Sequence, residues 1–195
     1  MPVEIRTLTP AEQVQRIEEL ATLRMRVFRE WPYLDAGSLA FEHNYLRRQA
    51  QLSEGLTVGG FDGNCLIGTV AGKPLKNALS AYREPLESRG HDTGSIFYLA
   101  EIVLDHRYRG RGLGHEMFVA YEQHAKRLGY ETSMLCCVIR SENHSPGPGS
   151  VPYLDRFWEK HGYDKLRGVV AHCPWQDVGE AEETEKPMQV WWRRL

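Results

Sequence analysis

Residues 3–8 alternate apolar and polar, the period of a strand with one buried face. At Thr9-Pro10 the period changes. Val14, Ile17, Leu20, Ala21 and Leu23 recur at helical spacing, with Thr9 suited to the N-cap and Pro10 to the first helical position. One helix is therefore expected from about 10 to 28, ended by Trp31-Pro32-Tyr33, and a second over 38–49. Residues 56–61 and 65–70 read as strands joined at Asp62-Gly63-Asn64 by a hairpin turn. A short helix is expected near 75–87, then a long strand over 95–104 rich in Ile, Phe, Tyr, Leu and Val. After a glycine turn, Leu113, Met117, Phe118, Tyr121, Ala125 and Leu128 mark a helix over about 112–128 that Gly129 closes. An apolar strand follows over 132–139, an irregular loop over 145–150 and a short helix over 152–161. Strands are expected over 163–173 and 188–193, with the acidic run 180–185 between them as a solvated loop. Strands and helices mix without strict alternation, which predicts an α/β (α+β) chain built on a mixed sheet with helices on both sides.

With 195 residues, 42% of them hydrophobic and 26% charged, the chain can bury an ordinary globular core, and one domain over 1–195 is expected. The net charge of −2 supplies no global basic field, so neither nucleic acid nor a membrane is expected as a partner. Phosphate recognition must then come from a local patch. Cys65, Cys136, Cys137 and Cys173 contain no C-x-x-C pair. Neighbours in a strand face opposite sides, so Cys136 and Cys137 should point apart, and reduced cysteines are a better reading than a disulfide framework. The first residues carry no apolar signal core, and no apolar run approaches the ~20 residues of a membrane helix. A cytoplasmic protein is expected.

The local patch lies at a strand-to-helix junction, Leu104-Asp105-His106-Arg107-Tyr108-Arg109-Gly110-Arg111-Gly112-Leu113-Gly114-His115. A helix start exposes unpaired N–H groups and partial positive charge, and glycines let an anion approach them. Arg107, Arg109 and Arg111 add forked donors suited to phosphate oxygens. The combination suits a pyrophosphate. It is not the dinucleotide fingerprint, which would need glycine where His115 stands, nor a P-loop, which would need Gly-Lys-Ser/Thr. His115-Glu116 begins like a zinc H-E-x-x-H, but Val119 stands at the fifth position, so no metal is expected.

Arg109 to Gly114 matches R/Q-x-x-G-x-G/A, and Phe157-Trp158-Glu159-Lys160-His161-Gly162-Tyr163 downstream looks like F-Y-x-K-x-G-F. In both motifs, and in element order over nearly the whole chain, the sequence resembles the GNAT superfamily of N-acetyltransferases. The resemblance implies a central mixed sheet of about six to seven strands flanked by helices and splayed between the fourth and fifth strands. It implies acetyl-CoA as co-substrate, with the backbone of Arg109, Gly110, Arg111, Gly112, Leu113 and Gly114 on the pyrophosphate. Ile102, Val103 and Leu104 would hold the pantetheine arm through their backbone, and Asn143 would face the coenzyme, or else be a plain loop residue. The acceptor would be a primary amine, on a small molecule or a peptide, attacking the thioester directly in a ternary complex.

Such a reaction needs a base for the amine proton and benefits from an acid for the leaving thiolate. Glu101, a carboxylate in an apolar strand, is the candidate base, or else is simply paired. On the acid side the chain departs from the family: Trp158 stands where a tyrosine is usual, and an indole N–H is no proton donor of use. Tyr153 is the candidate acid; Tyr163 reads as core, and unassisted thiolate departure competes. Trp31 and Tyr33, in Glu30-Trp31-Pro32-Tyr33-Leu34-Asp35, would line the acceptor pocket, or else anchor a packed loop. The missing tyrosine keeps a second reading open, a non-catalytic coenzyme A sensor with the same fold. A homodimer also stays open.

Overall fold

The N-terminal alternation produces β1 (Glu4–Thr7), the outer strand of a sheet. The structure is a computed structural model that describes residues 2–140 and 152–195, with Pro152 and Tyr153 described by their backbone alone. Thr9 and Glu12 then form a capping box. The Glu12 N–H donates to the Thr9 hydroxyl at 3.2 Å, and the Thr9 N–H donates to the Glu12 carboxylate at 2.8 Å. They start α1 (Pro10–Gln15). The pattern predicts one helix to about 28, but the backbone turns at Arg16 and a second helix, α2 (Ile17–Phe28), begins there. The break lets the two helices bury different things. α1 turns Gln13 inward, where its amide donates to the Leu8 carbonyl and accepts from the Thr57 hydroxyl, and leaves Val14 52% exposed. α2 turns Leu20, Ala21 and Leu23 onto the sheet. α3 (Leu39–Ala50) follows, N-capped by Ser38.

The expected hairpin is β2 (Leu56–Asp62) and β3 (Cys65–Pro74), and α4 (Ser80–Glu87) follows it. The long apolar run is β4 (Ile96–Leu104). α5 (Leu113–Arg127) crosses over from it to β5 (Thr132–Val138). α6 (Pro152–Lys160), β6 (Asp164–Trp175) and β7 (Thr184–Arg194) complete the order. The seven strands form one sheet in the order β1-β2-β3-β4-β5-β7-β6, antiparallel throughout except for the parallel pair β4–β5.

One face packs Met117, Phe118 and Tyr121 of α5 and Trp158 of α6 against Val58, Val70, Phe97, Leu135 and Trp191. Contact is so close at Gly72 that a Cβ there would lie 2.4 Å from the Tyr121 ring. The other face packs α2 and α3 over β2–β4 and α4 over the second half of the sheet. As the strand period predicts, Cys136 and Cys137 go to opposite faces, and so do Trp191 and Trp192.

Two irregularities in β4 shape everything that follows. Its ladder with β5 covers only Ile96↔Thr132, Phe97↔Ser133 and Tyr98↔Met134, after which β5 follows β7 away. Against β3, Ala71 faces Glu101 and Gly72 faces Leu99, so Ala100 is the extra residue of a bulge. Beyond Tyr98, no strand among the described residues covers the β5-facing edge of β4.

Candidate active site

At the end of β4, buried Asp105 caps a 3-10 turn (His106–Tyr108) by accepting from the Arg107 N–H at 3.0 Å. The Arg107 guanidinium grips the same carboxylate at 3.1 and 2.8 Å, and Arg26 reaches it at 2.8 Å. The Arg107 hydrogen bonds hold the Asp105 carboxyl well below the usual range. The chain then passes Gly110 and Gly112 at φ of 76° and 83°, the left-handed region that favours glycine. A Cβ at either would meet nothing within 4 Å, so these glycines serve conformation and leave open space. Gly112 is the N-cap of α5 and supplies no side chain, so the first N–H groups of the helix have no side-chain cap. The turn from Arg109 to Gly114 thus leaves the first N–H groups of α5 uncapped by any side chain of its N-cap, with open space at Gly110 and Gly112.

The three arginines there differ in what they can do. Arg107 is tied to Asp105. Arg109 donates to the Leu104 carbonyl at 3.0 Å and to Glu30 at 2.8 Å. Arg111 lies over the Tyr108 ring at 5.2 Å, with that ring anchored to Asp62 through its hydroxyl at 2.8 Å. Among the described residues no carboxylate pairs with Arg111.

Where β4 and β5 part, a cleft of about 580 Å³ opens, within the ~300–1,000 Å³ typical of ligand sites. Its inner walls are residues 99–102 of β4 and 135–137 of β5, with Trp158 behind. Ile102 lines it, while Val103 and Leu104 continue the uncovered strand toward the glycine turn. The outer walls are largely aromatic: Phe28, Tyr33, Tyr45, Tyr82 and Trp175.

Glu101 lies in the cleft wall and is paired. Its carboxylate accepts from Arg24 of α2 and, at 3.0 Å, from the Thr69 hydroxyl. The same guanidinium reaches Glu42 of α3 at 2.5 Å and lies 4.4 Å from the Tyr45 ring centre. Arg24, Glu42 and Lys73 of β3 are buried cleft residues that sequence reading passed over. Arg24 did leave a trace, because it follows Leu20, Ala21 and Leu23 on the buried side of a helix, where a charge needs a partner. Asp35 also lines the cleft, half-buried, and burial raises its carboxyl above the usual range.

The sequence pattern of the Acetyltransferase (GNAT) family matches residues 15–163, which takes in the glycine turn, both walls of the splay and the α6 motif. This chain belongs to the GNAT acetyltransferase family. No curated protein matches it in sequence. Its fold is similar to that of an N-acetyltransferase from Staphylococcus aureus Mu50, at 10% identity over 100% of this chain and 99% of the other, with a TM-score of 0.63. It is also similar to PaiA N-acetyltransferase from Thermoplasma acidophilum in complex with coenzyme A, at 16% identity over all of both chains, TM-score 0.55. A third is YncA from Salmonella typhimurium with its cofactor acetyl-CoA, at 10% identity over 100% and 95%, TM-score 0.63. The seven-stranded sheet with its parallel β4–β5 pair is the GNAT fold.

The remaining expected residues of this GNAT protein sort unevenly. Tyr33 lines the cleft, edge-on to Phe28 at 5.1 Å. Trp31 is not among the lining residues. Arg140, itself paired with Asp177, donates to the Pro32 and Tyr33 carbonyls and fixes the loop with Tyr33 inward. Trp158 is 3% exposed and donates its indole N–H to the Cys137 sulfur at 3.1 Å. Burial pushes the Cys137 thiol up to about 12. Tyr163 is core: its hydroxyl donates to the Glu122 carboxylate at 3.1 Å and shares a hydrogen bond with the Ser133 hydroxyl at 2.6 Å, and burial raises it. Tyr153 falls on the first turn of α6, and its side chain lies outside the description. Asn143 and the 145–150 loop lie outside the described residues. Among the described residues, no three His, Cys, Asp or Glu side chains converge as metal ligands, and no helix is long and apolar enough to cross a membrane.

Proposed function

We propose that the chain, as one domain over 1–195, is an N-acetyltransferase that moves an acetyl group from acetyl-CoA to a primary amine in a ternary complex. The observation that carries this reading is the continuous track from the Ala100 bulge along the uncovered edge of β4 to the cradle at Gly110 and Gly112. A pantetheine arm is a chain of amides and can pair with an open strand edge as an added strand does. Its pyrophosphate then reaches the α5 N-terminus and Arg111. The coenzyme complexes of the PaiA and YncA structures accord with this use of the fold.

Acetyl-CoA supplies an activated thioester, and the chain's own groups do the rest. The amine reaches the splay past the aromatic wall, where desolvation favours its neutral form. Its nitrogen bonds to the acetyl carbon and the C–S bond breaks. Backbone N–H groups beside the Ala100 bulge stabilise the oxyanion. Glu101 takes the amine proton through a water, because a carboxylate has about four acceptor sites and Arg24 and Thr69 occupy only part of them. Asp35 is the competing base. Trp158 cannot serve as the acid, which leaves Tyr153, or solvent, to protonate the thiolate.

One observation favours the second reading, a coenzyme A sensor: the indole N–H of Trp158 is engaged by Cys137 in the cleft wall. Thiol release from acetyl-CoA with a panel of amines separates the two. An enzyme releases one thiol for each amine acetylated. A sensor binds the coenzyme and releases none above the buffer rate.

A further inference from the structure

Lys73 stands in the wall of the cleft on β3 and is only 8% exposed. Its ammonium lies 4.6 Å from the centre of the Tyr45 ring. Among the described residues, no carboxylate and no carbonyl accepts from it. An ammonium has three donors, and a π face replaces none of the hydrogen bonds they lose on burial. The Arg24–Glu42–Glu101 cluster touches the same Tyr45 ring through its guanidinium but offers Lys73 no hydrogen bond. Lys73 therefore lines the cleft with no acceptor for its ammonium among the described residues.

The coenzyme phosphates are the wrong partner for them. Lys73 pairs with Tyr98, six residues up β4 from Leu104, which is roughly 20 Å of strand from the glycine turn. Lys73 faces the acceptor half of the cleft, beside Glu101. Arg48, an exposed residue of α3 with no carboxylate partner among the described residues, adds a second cation at the same cleft. Phe28, Tyr82 and Trp175 give the same cleft an aromatic wall, with Asp35 as a further carboxylate in the lining.

Resting on the acetyltransferase reading above, we infer that the acceptor is an α-amino acid with a large apolar or aromatic side chain, its carboxylate held by Lys73. Lys73 lies on β3 two residues beyond Ala71, the register partner of Glu101, which is roughly 7 Å of strand, and both residues line the cleft, so the acceptor's anionic group and its amine must be close together. An α-amino acid meets that spacing, and its side chain covers the aromatic wall. The amine forms the new C–N bond to the acetyl carbon as the C–S bond breaks. Its proton leaves by way of Glu101 and water, and the departing thiolate takes one back. The products are an N-acetylamino acid and the free thiol.

The test uses the full-length protein with matched probes: phenylalanine, leucine and tryptophan, each beside its amide and its decarboxylated amine. Thiol release with acetyl-CoA and calorimetric binding to the coenzyme A-loaded protein are both read. The inference expects kcat/KM, and binding, at least tenfold better for a free amino acid than for its amide and its amine. It expects Lys73→Met to reduce that ratio at least tenfold and Lys73→Arg to restore part of it. Amines or amides turned over as well as the acids would overturn it while leaving the acetyltransferase reading intact. Turnover of nothing, with amino acids still bound through Lys73, would instead remove the acetyltransferase reading. Binding of no amino acid better than its amine defeats the inference in the wild-type protein, whatever the variants do.

Discussion

Arg24 on α2 and Glu101 on β4 form an ion pair in the wall of the cleft, with both side chains buried and Glu42 of α3 as a second carboxylate on the same guanidinium. The pair ties the helical layer to the strand that forms the inner wall of the cleft. Removing one partner of a buried pair strands the other. Arg24→Met is expected to destabilise the fold by about 3–5 kcal/mol, read by chemical denaturation. A change below about 1 kcal/mol would mean the pair is solvated.

Glu101→Gln separates structure from chemistry. Gln keeps an acceptor for Arg24 and Thr69 but cannot take a proton. Turnover should fall by about 10²-fold or more, the scale of general-base catalysis, while acetyl-CoA affinity holds. Unchanged turnover would pass the role of base to Asp35, tested next by Asp35→Asn.

The proposed coenzyme site at the start of α5 predicts a contrast between neighbouring residues. Gly112→Val forces a branched side chain into the left-handed region and should lower acetyl-CoA affinity by about tenfold or more. Arg111→Ala should lower it by about tenfold, the scale of one charge-assisted hydrogen bond, and should weaken its dependence on salt. Arg107→Ala should act chiefly on stability, because Arg107 serves Asp105. Equal losses of affinity at Arg107 and Arg111 would contradict this assignment.

Asp35 gives the fold a pH dependence of definite sign. Burial raises its carboxyl above 3.8, so the native state binds more protons than the unfolded chain just above that pH. Its contribution to stability is therefore greatest in acid and declines as pH rises through the raised value. Asp35→Asn should gain melting temperature at pH 7, with the gain shrinking below about pH 4. A gain that grows toward acid would reverse the sign.

Thiol chemistry reports on the two faces of the sheet. Cys65 is exposed, whereas Cys136 and Cys173 are buried and Cys137 is held near 12 by burial. One thiol should react quickly with a thiol-specific reagent in the native protein and all four after unfolding. Fast reaction at Cys137 would show that the splay is open to solvent on its β5 side.

The fold was largely legible because its signals are local. Thr9-Pro10, the Asp62-Gly63-Asn64 turn and the stripe from Leu113 to Ala125 each specify an element over a few residues. The break at Arg16 was not legible, since it depends on Gln13 finding Leu8 and Thr57. The glycine turn before α5 was legible for a similar reason, as its glycines and arginines are consecutive. The charged wall of the cleft was not. Arg24, Glu42, Lys73 and Glu101 come from four elements and meet only once α2 and α3 lie on the sheet. Glu101 was visible as a charge in an apolar strand, but its pairing with Arg24 lies 77 positions away in sequence. Trp31 and Tyr33 look alike in the chain, and only the anchoring of their loop by Arg140 turns one of them into the cleft.

The central claim is acetyl transfer in the cleft between β4 and β5, and product stoichiometry tests it most directly. Thiol release and acetylated amine are measured together, by absorbance and mass spectrometry, for the wild-type protein and Gly112→Val. The account predicts one N-acetylated amine per thiol released, with both signals lost together in the variant at limiting acetyl-CoA. Coenzyme binding with neither product formed on any amine would contradict it.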